Sequence, residues 1–248
     1  MMFKGRHACR MAQSAADLAA AQSLRHACFI AQTGAASRAE GLDGDAFDAV
    51  CSHVLVEERG TGRLVATFRF LPLTSGAEIG RSYAAQYYDL DALRAYDKPM
   101  VEMGRFCIDP HAKDPDVLRV AWAAMTSYVD ATGVGMLFGC SSFQGTEPQA
   151  YADAFAMLKE RHLAPKRWLP RIKAPKVFSF AKGLRNRADH TQALRTMPPL
   201  LRSYQTMGGW VSDHAVVDPD LNTLHVFTGL EIGSIPPARA RALRAVAG

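Results

Sequence analysis

The sequence lacks the features of a membrane-spanning, disulfide-rich or zinc-binding chain. No apolar run reaches the roughly 18–20 residues that a membrane-spanning helix needs, and the N-terminal residues hold no apolar core of a signal peptide. The five cysteines are scattered, and none has the C-x-x-C spacing of zinc ligands. We therefore expect a soluble, cytoplasmic protein without a metal, in which most cysteines are small buried residues. Cys140, in LFGCSSF, is an alternative acyl-enzyme nucleophile.

Positive charge is concentrated in one segment of the chain. The 248 residues carry a net charge of +5, whereas Lys159 to Arg187 hold ten lysines and arginines against one acid, Glu160. A basic face of this kind is typical of a protein that meets a polyanionic partner. Three interpretations stay open: a surface that docks an acidic protein, a contact with an anionic membrane, and an ordinary solvated face. No recognisable nucleic-acid-binding module accompanies the charge.

The pattern of apolar and turn residues predicts a single α/β domain, residues 1–248, built on a mixed sheet. Helices are predicted at 15–29, 84–96, 117–131 and 147–162, with Ser14 and Asp114 as N-caps of the first and third. Strands are predicted at 52–58, 63–70, 101–108, 135–143, 176–180, 209–211 and 224–228, the first two forming a hairpin. The small polar residues of 31–44 are typical of a mobile loop.

The stretch VEMGRFCIDP, residues 101–110, combines the apolar residues of a buried strand with two charges. Glu102 and Arg105 are three positions apart and would point to opposite faces of a regular strand. Charged side chains are rarely buried unless they are paired or used. Gly104 between them would allow a β-bulge, which can re-aim a side chain and free a backbone N–H.

The order of these elements resembles the GNAT acyltransferase fold, whose mixed central sheet has a bulged, splayed central strand and flanking helices. Local motifs are similar to those of the acyl-homoserine-lactone synthases, a GNAT branch that takes acyl chains from acyl carrier protein. They are Arg25 with Phe29, Asp45 with Asp48, Arg69 in TFRFLPL, and Glu102 with Arg105 in VEMGRF. That branch has a tryptophan shortly after its Arg/Phe pair, whereas the first tryptophan here is Trp122.

The remaining motifs resemble the ornithine N-acyltransferases of aminolipid synthesis. They are DPDVLRVAWAAM, LFGCSSFQGT, LKERHLAPKRW and the block from PPLLRSYQTMGGW to LHVFTGL, and the likeness extends over residues 10–235. It implies transfer of a 3-hydroxyacyl chain from acyl carrier protein to the α-amine of L-ornithine, giving lyso-ornithine lipid. Alternatives are the same reaction on glutamine or another amino acid, a signal-lactone synthase, and a basic adaptor for membrane or nucleic acid.

Such a reaction needs a base for the amine, donors to the oxyanion, and groups that hold the amino acid. Glu102 suits the base, unless it pairs with Arg69 or Arg105 to hold the strand. The backbone N–H groups of Gly104 and Phe106 suit the oxyanion, and Arg105 between them is a further candidate catalytic residue. The candidate substrate-binding residues are Arg25 and Arg69 for the carboxylate, Asp45 and Asp48 for the cationic end, and Ser142 near the thioester. An Asp-x-x-Asp pair after a loop is equally typical of a turn cap.

The acyl donor would contact two further segments. His111, Lys113 and Asp114, in PHAKDPD, are candidate contacts of a phosphopantetheine phosphate at a helix N-terminus, with a solvated loop as the alternative. The segment is unlike the Q/R-x-x-G-x-G/A loop of CoA-using members. We expect no permanently bound cofactor: acyl-phosphopantetheine arrives on acyl carrier protein. That acidic partner would dock on Lys166, Arg167, Arg171, Lys173 and Lys176, with anionic membrane near the basic tail as a second contact.

Overall fold

The computed structural model describes residues 2–31 and 41–247, which divide into two compact units. The first unit holds residues 1–72, 103–134 and 237–248, and the second holds residues 73–102 and 135–236. Strand β6, Met100–Ile108, runs from the second unit into the first. Most of the predicted mobile loop, residues 32–40, lies outside the described residues. No helix within the described ranges is long and apolar enough to cross a membrane.

The first unit is an antiparallel sheet covered by helices. Its elements are β1 (Met2–Lys4), β2 (His7–Met11), α1 (Ala15–His26), β3 (Ser52–Glu58), β4 (Leu64–Leu73), α2 (Asp116–Thr132) and α7 (Pro237–Ala247). The strands lie in the order β1-β2-β3-β4-β6, and α2 packs on α7 and on β2. The predicted hairpin is confirmed, since β3 and β4 pair antiparallel with His53 opposite Arg69. Its core includes Val56 and Phe68, both almost fully buried.

The helices of the first unit begin close to where the sequence predicts. The Ser14 side chain accepts a hydrogen bond from the backbone N–H of Asp17, as expected of an N-cap. The turn that follows α1, Ala27–Ala31, is a π-helical turn. Helix α2 begins at Asp116, one residue before the predicted range. Its N-cap is Pro115 and not the predicted Asp114, whose side chain accepts from the Asp116 N–H.

The second unit has a mixed sheet centred on two long strands. Its elements are β5 (Tyr88–Asp89), β7 (Met136–Gln144), α3 (Ala152–Arg161), β8 (Arg171–Ile172), β9 (Val177–Phe178), α4 (Phe180–Gly183), α5 (His190–Thr196), α6 (Pro199–Thr206), β10 (Trp210–Val211), β11 (Ala215–Asp218) and β12 (Thr223–Glu231). The residues Met100 to Glu102 of β6 pair parallel with β7, which pairs antiparallel with β12 along all nine residues. Parallel and antiparallel pairs together confirm the mixed sheet.

Two predictions for the second unit need correction. Residues 84–96 do not form a helix; they form two 3-10 turns, Ala84–Gln86 and Asp91–Ala95, on either side of β5. Strand β5 pairs with β8, which places Tyr88 opposite Ile172. The predicted helix at 147–162 begins as a 3-10 turn, and its α-helical part is α3. The core of this unit gathers around Phe155, whose ring stacks on Phe180 at 5.1 Å between centroids.

Candidate active site

Three arginines and three aspartates of the first unit form a closed ring of alternating charge. The members, in order around the ring, are Arg25, Asp43, Arg105, Asp45, Arg69 and Asp48. Each neighbouring pair lies within 2.5–3.1 Å between nitrogen and oxygen. We call this group the charge ring. It brings together five residues that the sequence singled out, and its formal charge sums to zero.

Asp43 joins the end of α1 to β6. Its Oδ2 accepts from Arg25 Nε at 3.0 Å and lies 3.1 Å from Arg105 Nε. The Asp43 side chain is fully buried, and Arg25 is 1% exposed. Asp43 lies in the segment that was predicted to be a mobile loop, and it was not among the predicted site residues. The usable signal was its position two residues before Asp45, within a segment that already held two candidate acids.

Asp45 and Asp48 begin the 3-10 turn Ala46–Ala49 and also bind arginines. Asp45 accepts from the Phe47 N–H, and Asp48 reaches back to the Asp45 N–H, so the two form a capping box. Arg69 donates from both Nη atoms to Asp45 and from Nη1 to Asp48. The turn-cap interpretation of this Asp pair is therefore confirmed, and both carboxylates also bind arginine side chains.

Two aspartates of the charge ring, Asp45 and Asp48, have lowered pKa values. Burial opposes ionisation of Asp48, but hydrogen bonds from Arg25 and Gln22 outweigh it and lower its pKa. For Asp45, burial is likewise outweighed by the Arg69 hydrogen bond and the Arg69 and Arg105 charges, which lower its pKa. Two buried charges of opposite sign stabilise a fold only when both are present, since one alone is costly.

Within the charge ring, the predicted substrate-binding arginines have partners from the chain itself. Arg25 and Arg69 both bind aspartates of the chain, and Arg69 further lies over the Phe47 ring at 5.6 Å. Asp45 is the most accessible acid of the ring, with 20% of its side chain exposed. Any contact with a substrate ammonium therefore falls most easily to Asp45.

Strand β6 carries its irregularity at Arg105 and not at Gly104. Arg105 has φ of 51°, in the left-handed region, where a non-glycine residue is strained. A side chain at Gly104 would meet no atom within 4 Å, so space does not require glycine there. The ion pairs of Arg105 hold the strained residue in place. Phe106, the next residue, packs on Phe68 at 5.9 Å between ring centroids.

Glu102 binds backbone amides of the second unit. Its Oε2 accepts from the Tyr83 N–H at 2.7 Å and its Oε1 from the Ala84 N–H at 2.8 Å. The side chain is buried, with 5% exposed. The carboxylate thereby satisfies the first amides of the 3-10 turn Ala84–Gln86. The predicted pairing of Glu102 with Arg69 or Arg105 stays a prediction, whereas these two bonds come from backbone amides.

Strands β7 and β12 bring a second group of polar residues together. Ser142 is exposed and lies directly opposite His225, which is 2% exposed. Its neighbour Ser141 is buried and accepts from Thr228 Oγ1 at 2.9 Å. Cys140 is half-buried opposite Phe227. His225 was missed from the sequence, although a histidine within the apolar run TLHVFTGL is the signal that marks it.

The PHAKDPD segment is a surface turn of the first unit. His111 and Lys113 are exposed, and the His111 N–H donates to Asp109 Oδ1 at 2.8 Å. Asp114 caps the start of α2 and lies 3.9 Å from His7 Nδ1. The three residues do stand at the N-terminus of a 17-residue helix, as the sequence predicts.

Acids from outside the basic segment neutralise part of its charge. Arg171 binds Asp89 at 2.8 Å, and Arg167 lies 3.4 Å from Glu231. Lys173 Nζ donates to the carbonyl oxygen of Ala85. Lys166 and Lys176 are exposed, and no group in the described ranges hydrogen-bonds their ammonium. Among the predicted docking residues, these two lysines therefore carry charge that no described acid or carbonyl binds.

The mixed sheet and its flanking helices belong to the GNAT class of acyltransferases. The family described as acetyltransferase (GNAT) domain matches residues 24–123. Among solved structures, FeeM, an N-acyl amino acid synthase from uncultured soil microbes, is similar with a TM-score of 0.53 and 14% identity, covering 93% of this chain and 94% of that one. At this identity the likeness shows the fold.

Sequence relatives define the family within that class. The L-ornithine N(alpha)-acyltransferase of Rhodobacter capsulatus is 34% identical over 88% of this chain and 86% of its own length. The protein of the same name from Agrobacterium fabrum is 30% identical over 91% of this chain and 81% of its own. The chain belongs to the L-ornithine N(alpha)-acyltransferase family.

Proposed function

We propose that this protein transfers a 3-hydroxyacyl chain from acyl carrier protein to the α-amine of L-ornithine, forming lyso-ornithine lipid. The observation that carries the proposal is the match to L-ornithine N(alpha)-acyltransferases along about nine-tenths of the chain. The basic segment supports an acidic donor protein, and the motifs quoted above support the hydroxylated chain. In the reaction the amine nitrogen attacks the thioester carbonyl, the C–N bond forms, the C–S bond breaks, and the carrier thiol leaves.

Glu102 is the proposed base that takes the proton of the attacking amine, directly or through water, for return to the leaving thiolate. Its two bonds to backbone amides fix the position of the carboxylate. The same bonds tie the base to the 3-10 turn Ala84–Gln86. A structural and a catalytic role are therefore compatible in one residue.

The remaining groups are assigned around this step. The backbone N–H groups of Gly104 and Phe106, on either side of the left-handed Arg105, are the proposed donors to the oxyanion. Asp45, the accessible acid of the charge ring, is the proposed contact of an ornithine ammonium, with Arg69 and Arg25 orienting it. Ser142 is the proposed hydroxyl near the thioester. His111, Lys113 and Asp114 are the proposed contacts of the phosphopantetheine phosphate.

The test of the reaction is turnover of purified protein with 3-hydroxyacyl carrier protein and ornithine, read by mass spectrometry of the product. Glu102→Gln should lower kcat by about 10²–10⁴, the usual contribution of general acid–base catalysis. Glu78→Gln is the matched control, because that half-buried glutamate also accepts a backbone and a side-chain hydrogen bond, both from Thr74. A Glu102→Gln variant with unchanged melting temperature and near-normal kcat would leave only the structural role. Faster turnover with glutamine than with ornithine would show that the acyl acceptor is glutamine.

Carrier docking is tested on Lys166 and Lys176, which are exposed and whose ammonium groups no described residue hydrogen-bonds. Lys166→Glu with Lys176→Glu should raise KM for the carrier protein and leave KM for ornithine unchanged, because exposed charges mainly set the encounter rate. Arg171 and Lys173 are unsuitable, since they bind Asp89 and the Ala85 carbonyl. A short acyl-pantetheine donor should be indifferent to the change. An unchanged KM for the carrier, with weaker sedimentation by anionic vesicles, would assign the charge to membrane contact.

A further inference from the structure

His225 is a buried imidazole to which the proposed reaction gives no role. It stands in the middle of β12 with 2% of its surface exposed. Its ring meets Tyr88 at 5.6 Å and Tyr87 at 5.0 Å between centroids. A polar ring in such a place needs hydrogen-bond partners for both nitrogens, since an unsatisfied buried polar atom is costly.

Counting protons assigns the tautomer of His225. The Tyr88 hydroxyl lies 2.8 Å from the His225 carbonyl oxygen and 3.1 Å from Nδ1. A phenol has one proton, and donating it to the carbonyl leaves the oxygen to accept from Nδ1–H. That arrangement satisfies both contacts, whereas donation to Nδ1 satisfies one. Nδ1 therefore carries the proton, and Nε2 presents a lone pair.

The Nε2 lone pair has no partner among the described residues, although the atom is buried. Burial, with a smaller contribution from His214, lowers the pKa of His225 to about 3, so the imidazole is uncharged at neutral pH. A neutral imidazole of this kind is an acceptor for a neutral donor and a poor acceptor of a full proton. The group fits a hydroxyl better than it fits a base.

The surroundings indicate what kind of molecule brings that hydroxyl. Tyr88 lies 5.8 Å from the Phe227 ring, which stacks on Phe138 at 5.7 Å and on Trp210 at 5.8 Å. These aromatic rings lie beside the side of the sheet that carries His225 and form an apolar wall there. On the neighbouring strand the exposed Ser142 lies directly opposite His225, at a separation where cross-strand side chains meet. An apolar chain with one hydroxyl group matches this combination.

We infer that His225 is a specificity-determining residue whose Nε2 accepts a hydrogen bond from the hydroxyl of a hydroxylated acyl chain. The inference rests on the proposed function for the acyl donor and adds the residue that distinguishes a hydroxylated chain from a plain one. Tyr88 acts through His225 as a positioning residue, because its hydroxyl keeps the lone pair on Nε2. An unsubstituted chain would leave that lone pair unpaired, which is how a hydrogen-bonding site rejects an analogue.

The experiment compares binding of 3-hydroxyacyl-pantetheine and the unsubstituted acyl-pantetheine of equal length by calorimetry, so that no turnover is needed. The wild type should bind the hydroxylated compound about 2- to 10-fold more tightly, as one hydrogen bond allows. His225→Asn places an amide where Nδ1 stands and removes the acceptor, so the preference should vanish. His225→Gln can place its amide oxygen near Nε2 and should keep part of it. Tyr88→Phe should reduce the preference without changing the apolar wall.

Equal binding of the two compounds by the wild type would overturn the inference. So would a preference that survives in His225→Asn, or equal weakening of both compounds in a variant whose melting temperature is unchanged. Turnover with ornithine is measured separately on the same wild-type sample. Absence of acyl-ornithine with either donor would reject the proposed function, while the binding ratio would still decide the role of His225.

Discussion

Replacing Asp43 by asparagine tests whether the charge ring is a single balanced unit. The substitution keeps the shape of the side chain and removes one negative charge from a fully buried position. Arg25, which is 1% exposed, and Arg105 then each lose their ion pair with residue 43. Leaving a buried charge without compensation costs about 3–5 kcal/mol. In a chain of this size that corresponds to a melting temperature lower by about 6–20 °C.

Urea unfolding and thermal scans measure the effect, with Asp130→Asn as the control. Asp130 also binds an arginine, Arg244, but on the surface, where we expect no measurable change. The double variant Asp43→Asn with Arg25→Gln restores neutrality and should be more stable than the two single effects predict, with a coupling of about 0.5–3 kcal/mol. If Asp43→Asn lies within about 1 kcal/mol of the wild type, the charges are not coupled as a ring.

Further expectations concern β4, β6 and β12. Arg69→Lys keeps the charge but loses the planar fork that binds two aspartates, so unfolding by urea should show a loss of about 1–3 kcal/mol and kcat/KM should drop; a silent variant would remove Arg69 from the site. Gly104→Ala should change the free energy of unfolding by less than about 0.5 kcal/mol, because a side chain there meets no atom. Gly76→Ala is the control that should unfold at lower urea, because its side chain would overlap the Leu93 carbonyl. If Gly104→Ala were the less stable variant, the predicted bulge at Gly104 would be supported after all. Folding lowers the pKa of His225 to about 3, whereas the same histidine in the unfolded chain has a pKa of about 6.5. Between these two values the unfolded chain therefore binds more protons than the folded protein. Stability should therefore fall by up to about 1.4 kcal/mol per pH unit from pH 6.5 towards 3, and less steeply in His225→Gln; equal slopes in urea titrations would contradict the assignment.

Elements with local signals were predictable from the sequence. The hairpin of β3 and β4 has two apolar runs around GTG, and α2 has a cap, a proline and an apolar stripe. Residues 84–96 were predicted wrongly because their structure depends on a distant segment. Tyr88 pairs with Ile172, 84 positions along the chain, and Lys173 binds the carbonyl of Ala85. Such pairing leaves no mark in local periodicity, which here favoured a helix.

The candidate site was predictable in membership and not in arrangement. The motif likeness identified five members of the charge ring, yet four of them were predicted to bind a substrate, because spacing does not show which charges meet. Asp43 escaped notice since its burial depends on Arg25 and Arg105, 18 and 62 residues away. His225 looked like an ordinary residue of an apolar strand until its pairing with Tyr88 could be seen.

The small sheet of β5 and β8 has a consequence for replacing the basic segment by that of another protein. Arg171 binds Asp89, Lys173 binds the carbonyl of Ala85, and the turn that begins at Ala84 is held by Glu102. The basic segment is thus bonded to the same short stretch that fixes the proposed base. A graft of residues 166–176 from a relative would disturb that stretch. A transplant that preserves turnover must carry residues 83–91 along with the basic segment.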